Sequence, residues 1–385
     1  MRILLVTLSG LLPAALGNVL NPKNEYCAIV VDEPEPAREL FNKVGLPESL
    51  IHPLYELKEC IEDFHYDCLF CISSREIVWE IHKKFKKYNL PQNKFVHYCL
   101  TDGINNGFIF ERVLRYYKEH AADFDMFATG ISYIAVGLDA TQFTRKLFNF
   151  GRSSQDLYYD YQIAKFVLSK TGGGRGKIRY ALIGLAPYSF HYDQSKSYSL
   201  AWRLPHYFIA MNDLHNFWMS EDKYRGLFSQ EYLSFKIPLE NFDPNNANLE
   251  KSPFHLISLQ HRVDARDRID VWKDKSFPET CKENIKILDD YLTLCEKNKV
   301  MAVMFLPPMT EGYVKHFSRQ KLDEFHYLIR EARKKHSTAV FFDGWKLEGF
   351  SDKDFYDVDH LNIQGAAKFS AIFNNVIEQL ENQQK

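Results

Sequence analysis

The chain has no run of about eighteen apolar residues, the least that a bilayer-crossing helix needs, so nothing in it reads as a membrane span. It has almost no excess charge of either sign. A formal net charge of −2 over 385 residues leaves no global electrostatic case for nucleic acid or an anionic membrane. The basic clusters HKKFKK (82–87) and RKKH (333–336) fall on expected helices and read as solvated faces. Internal repeats and low-complexity tracts are missing. No G-x-G-x-x-G follows the first expected strand, because LSGLLPAALG has glycines only at 10 and 17, which argues against a dinucleotide site. The seven cysteines are an odd number scattered through apolar runs, the pattern of reduced, buried thiols. Cys68 and Cys71 form a C-x-x-C inside DCLFCISS, but strand alternation sends them to opposite faces, against a redox or zinc role. The glycine run TGGGRGK (171–177) closes a helix and precedes a strand, with Ile178 after Lys177, so it reads as a C-cap and turn rather than a phosphate loop.

What is present is an α/β rhythm. The 45 % hydrophobic and 25 % charged composition is that of an ordinary globular protein, and the length favours two domains. Residues 1 to about 103 alternate strands (Arg2–Leu8, 25–33, 67–74, 93–100) with helices, which argues for a parallel, Rossmann-like sheet. The opening MRILLVTLSGLLPAALG also imitates a signal peptide, which would mean export; the β-α-β reading is preferred and implies a cytoplasmic protein. A second series, 104–385, has strands at 125–130, 178–186, 300–307 and 338–344. Its helices are expected at 109–120, 153–170 (capped by Ser153 or Ser154), 279–297, 319–335 and from 363. Between about 188 and 275 the pattern dissolves into aromatic-rich segments, the look of an inserted lid.

Chemistry-bearing residues gather at the strand ends of the second series, where parallel sheets place ligands. Ser132 stands in Gly130-Ile131-Ser132 after the first strand. Asn149 and Gly151 precede a helix, where glycine lets backbone approach a substrate and helix-end amides favour an oxyanion. GLAPYS (184–189) ends another strand. The last strand leads to DVDHLNIQGAAKFS (357–370), with an acid three residues before a histidine.

Together these segments resemble the SGNH (GDSL-type) hydrolase superfamily, over roughly 105–187 and 295–385. The HLN and GAAKFS flanks are similar to those of its acyl esterases and O-acyltransferases of cell-surface polysaccharides. The resemblance implies a parallel-sheet three-layer sandwich and a serine esterase or O-acyltransferase. In it Ser132 is the nucleophile, His360 the base and Asp357 the orienting acid, with Asp359 as the rival acid. It implies oxyanion amides at Ser132 and Gly151; a third donor has to come from outside the family's G-x-N block, from Asn149 or Ser189, or is absent. Two departures from the family pattern stand out. The usual G-D-S reads Gly130-Ile131-Ser132, and the third-block G-x-N reads Gly184-Leu185-Ala186. Asn362 is expected to cap the last helix, and Gly365 with Ala366 to let it pack closely beneath His360.

The aromatic bursts in 188–275 place Trp202, His206 and Trp218, with Ser189, as expected substrate-binding residues for an acylated carbohydrate or surface-glycan precursor. One histidine and two aspartates lack a second clustered histidine, so no metal is expected, and no cofactor. The alternative expectation is a non-catalytic SGNH-like protein that binds a glycan or serves as a scaffold.

Overall fold

A computed structural model describes residues 1–74, 77–90, 92–101, 107–170, 172–173, 176–197, 200–242 and 276–384. Thr171, Gly174 and Arg175 of the glycine run, and 243–275 of the expected insertion, lie outside the described residues. The fold is α/β, with two parallel five-stranded sheets. They belong to two units, residues 1–114 with 194–239, and residues 115–193 with 240–385.

The first unit holds β1 (Arg2–Thr7), β2 (Glu25–Val31), α1 (Pro34–Val44), β3 (Ile51–Pro53) and α2 (Leu57–Asp63). These are followed by β4 (Cys68–Ser73), α3 (Val78–Lys87) and β5 (Phe95–Cys99), and α4 (Gly107–His120) runs through the boundary. The strand order is β3-β2-β1-β4-β5. Apolar runs such as ILLV at 3–6 and LFCI at 69–72 become strands buried on both faces, as an enclosed parallel sheet requires. Cys68 and Cys71 are both buried in β4, and burial pushes both thiols far above their ordinary pKa.

The expected inserted lid gives way to a discontinuous first unit, for residues 194–239 pack on its sheet. Trp218 Nε1 donates to Phe95 O at 2.8 Å, and Phe228 meets Phe70 edge-on with ring centroids 5.7 Å apart. Asn21 and Ser229 donate backbone bonds to Leu227 O and Val19 O, so both ends of the contact are tied.

The second unit begins its sheet with β6 (Met126–Thr129), followed by α5 (Ser132–Gly137), β7 (Leu147–Asn149), α6 (Leu157–Leu168) and β8 (Tyr180–Gly184). It continues with α7 (Pro278–Lys297), β9 (Met301–Leu306), α8 (Glu311–His316), α9 (Arg319–Lys335), β10 (Val340–Asp343) and α10 (Ile363–Gln384). All neighbours are parallel, in the order β10-β9-β8-β6-β7. Helix α10 packs on α5, while α7 packs on α6 and α9. The order reverses between β6 and β8, and a doubly wound sheet opens its ligand crevice beyond the carboxyl ends of the strands at such a point. Ser132 lies three residues past the end of β6, beside that reversal.

One local expectation is corrected. The cap of α6 is Asp156, whose carboxylate accepts from Tyr159 N at 3.1 Å, and not Ser153 or Ser154. Asn149 ends the short edge strand β7, ahead of that helix as expected. Asn362 does cap α10, its Oδ1 accepting from Gly365 N at 2.9 Å.

Candidate active site

Gly130 makes the turn from β6 into α5. Its φ is +145°, and a Cβ there would sit 2.6 Å from Gly184 O and 2.4 Å from Ile134 Cγ1. Only glycine suits that backbone and that space. The turn is held from behind, because Arg152 N donates to Gly130 O at 3.0 Å, and Gln155 Nε2 reaches Asp160 Oδ1 at 2.7 Å. Asp160 is fully enclosed. Burial pushes its carboxyl well above the usual range, against the opposing hydrogen bonds from Gln155 and the Gly130 amide. This buried polar group was missed in the sequence. Its signal was Gln155, Asp156 and Asp160 clustered at the start of an otherwise apolar helix.

The acid and base come from a small hairpin before α10. Phe355 and Leu361 form an antiparallel bridge, Tyr356 N donates to His360 O at 3.1 Å, and Asn362 N to Asp354 O at 3.0 Å. Thr310 Oγ1 ties the hairpin to the start of α8 by donating to Val358 O at 2.6 Å. Gly365 lets α10 come close beneath, since a Cβ would lie 2.0 Å from Asp354 O. Two backbone amides, of Asp359 and His360, donate to Asp357 Oδ1 at 3.0 and 2.8 Å, which fixes that carboxylate and curls the chain.

The structure brings Ser132, His360 and Asp357 together. His360 Nε2 lies 2.8 Å from Ser132 Oγ, and Nδ1 lies 3.0 Å from Asp357. Asp359 is there too, with Oδ1 3.1 Å from the same Nδ1. The rival acid thus stands beside the ring together with Asp357, because the curl made by Asp357 bends Asp359 back to it. The imidazole is also packed between Tyr133 and Tyr356, with ring centroids 5.0 and 5.3 Å away. Tyr188 Oη donates to Tyr133 Oη, and Tyr133 Oη to Asp359 Oδ2, both at 3.0 Å, a relay that no sequence motif announces. Burial, then Asp359, pushes the Tyr133 phenol well above its ordinary value, which keeps it a donor.

Burial disfavours a charged His360, but the carboxylates of Asp359 and Asp357 outweigh it, and the imidazole is pushed up to about 10. A proton on Nδ1 directed to carboxylates leaves Nε2 to exchange a proton with Ser132. Asp357, Asp359 and His360 offer ligand-type atoms within 4.8 Å of one another. The imidazole's nitrogens are, however, directed to the carboxylates and to Ser132, an arrangement suited to proton transfer.

The expected oxyanion donors fare unequally. Gly151 N already donates to Asn149 Oδ1 at 2.8 Å, and Asn149 Nδ2 donates to Ile134 O at 2.8 Å. These residues lace the β7 loop to α5, so Gly151 and Asn149 are corrected from donors to braces. The Ser132 amide is at the first turn of α5, and among the described residues no acceptor bonds it. Ser189 Oγ accepts from Ala186 N at 2.9 Å and closes the turn after β8.

Trp202, His206 and Trp218 belong to the first unit, not to a lid of the second. Trp202 is buried beside Val78 and Cys99, His206 is buried at the start of the short helix Pro205–Met211, and Trp218 is bonded to β5. Packing on the first sheet is what draws the two tryptophans there. No helix among the described residues is long and apolar enough to cross a membrane. No protein-family model matches this chain, and no curated protein matches it.

Proposed function

We propose that this protein is a serine esterase or O-acyltransferase of the SGNH type, acting on an acylated carbohydrate or surface-glycan precursor. The observation that carries the reading is the 2.8 Å contact of His360 Nε2 with Ser132 Oγ, with a carboxylate 3.0 Å from Nδ1. Ser132 Oγ attacks the acyl carbonyl carbon while its proton passes to His360 Nε2. The carbonyl oxygen becomes an oxyanion facing the Ser132 amide. Collapse of the tetrahedral intermediate expels the leaving alcohol, which takes the proton back from His360. The acyl-serine then passes its acyl group to water or to an acceptor hydroxyl by the same steps in reverse. Asp357 and Asp359 stabilise the imidazolium that forms in each half-reaction.

Seven free, buried cysteines suit a reducing compartment, and the cytoplasm is proposed as the place of action. A second reading, a non-catalytic SGNH-like glycan-binding protein, is favoured by the Gly151 amide being taken up by Asn149. Loss of one oxyanion donor costs about 10²–10³ in rate.

Turnover of a small aryl ester by the wild-type chain and by Ser132→Ala tests the choice. Hydrolysis that disappears with the Ser132 hydroxyl supports the enzyme. Equal rates in both, or none in either up to pH 10, supports the binding protein.

A further inference from the structure

The first unit contains a cavity of about 260 Å³ beside its edge strand β5, and the described residues lining it all belong to that unit. Its walls are aromatic. Phe95 and His97 stand two residues apart on β5 and therefore face the same side, and Trp202 and Trp218 complete the wall. Two of these rings are held in place. His97 Nε2 is 2.6 Å from Ser73 Oγ, and Trp218 spends its indole N–H on Phe95 O, so the half-buried ring presents an apolar π face.

The rim has a different chemistry. Gln92, Asn93 and Asn216 are exposed there, with the half-buried Ser197 and the buried Ser195 also in the lining. Each amide side chain both donates and accepts, which matches a hydroxyl group in either role. Among the described residues that line the cavity there is no carboxylate, and Lys196 is the only charged one. A ligand with several phosphates would find one cation, and a plain acyl chain would make no use of the exposed amides, of which Asn216 Nδ2 lies 3.1 Å from His215 Nε2. The volume is slightly under the roughly 300–1,000 Å³ usual for drug-sized ligands, which is room for about one ring.

We propose that this cavity is a carbohydrate-binding site that takes one neutral pyranose residue, its C–H face on the Trp218 indole and its hydroxyls on the Gln92, Asn93 and Asn216 amides. The binding requires no step at Ser132, so it stands or falls separately from the proposed catalysis.

The test is saturation-transfer NMR on the full chain with methyl glycosides of glucose, galactose, mannose and N-acetylglucosamine, and with adenosine as the aromatic competitor. At least one glycoside should receive saturation, strongest at its ring C–H protons. The signal should persist in Ser132→Ala and fall at least fivefold in Trp218→Ala. The double variant Asn93→Ala/Asn216→Ala, which alters only exposed side chains, should give the same fall and covers the case in which Trp218→Ala does not fold. The proposal is overturned if no glycoside receives saturation, if adenosine alone does, if the double variant binds as wild type does, or if Ser132→Ala abolishes the signal.

Discussion

His360 Nδ1 lies 3.0 Å from both carboxylate oxygens of Asp357. With Asp359 Oδ1 at 3.1 Å from the same nitrogen, one imidazole N–H faces two carboxylates, and this sets the chemistry of the site. A base works best with a pKa near the operating pH. Here the free imidazole is a strong base but scarce at neutrality.

The first prediction follows from that pKa of about 10. Only neutral His360 accepts the Ser132 proton, so kcat/KM for an aryl ester should rise about tenfold per pH unit from neutrality and level off near the imidazole pKa. Removing one negative charge in Asp359→Asn should move that limb to lower pH. A pH–rate profile already flat at pH 7 in the wild type would contradict the double-carboxylate account.

The second concerns redundancy. Where one carboxylate alone orients the imidazole, its loss to asparagine costs about 10⁴ in kcat. Asp359 remains beside Nδ1 when Asp357 is lost, so Asp357→Asn should cost only about 10–10²-fold. Asp359→Asn should cost no more than about tenfold, and the double variant should approach about 10⁴, beyond the roughly 10²–10³ that the single effects multiply to. Steady-state kinetics of the three variants at the plateau pH decides. Strict multiplicativity would mean that Asp359 takes no part in orienting the ring.

The third tests the discontinuous first unit. Phe228 is 3 % exposed and lies against Phe70, Tyr98 and Tyr232. Phe228→Ala should cost about 3–5 kcal/mol, as truncation of a buried aromatic does. Urea denaturation measures it. A loss below about 1 kcal/mol would show that the segment 194–239 is not an integral layer of that unit.

Legibility in the sequence followed the range of the forces involved. Strands β1, β4 and β9 were plain because each is an unbroken apolar run, and α10 because Asn362 caps it locally. The edge strands β3 and β7, three residues each, are too short to show a period. The D-x-x-H spacing points to Asp357 and His360, whereas the direction of Asp359 depends on two backbone amides bound by Asp357, which no spacing shows. The attachment of 194–239 to the first sheet rests on pairs such as Trp218–Phe95 and Phe228–Phe70, more than a hundred residues apart, and these leave no local pattern.

The central claim is that Ser132 is a nucleophile activated by His360. Intact-mass spectrometry after treatment with a fluorophosphonate at pH 9, followed by peptide mapping, tests it most directly. The account predicts a single adduct on Ser132, absent from Ser132→Ala and formed at least a hundredfold more slowly in His360→Gln. An adduct that persists in Ser132→Ala, or a wild-type chain that forms none, would contradict it.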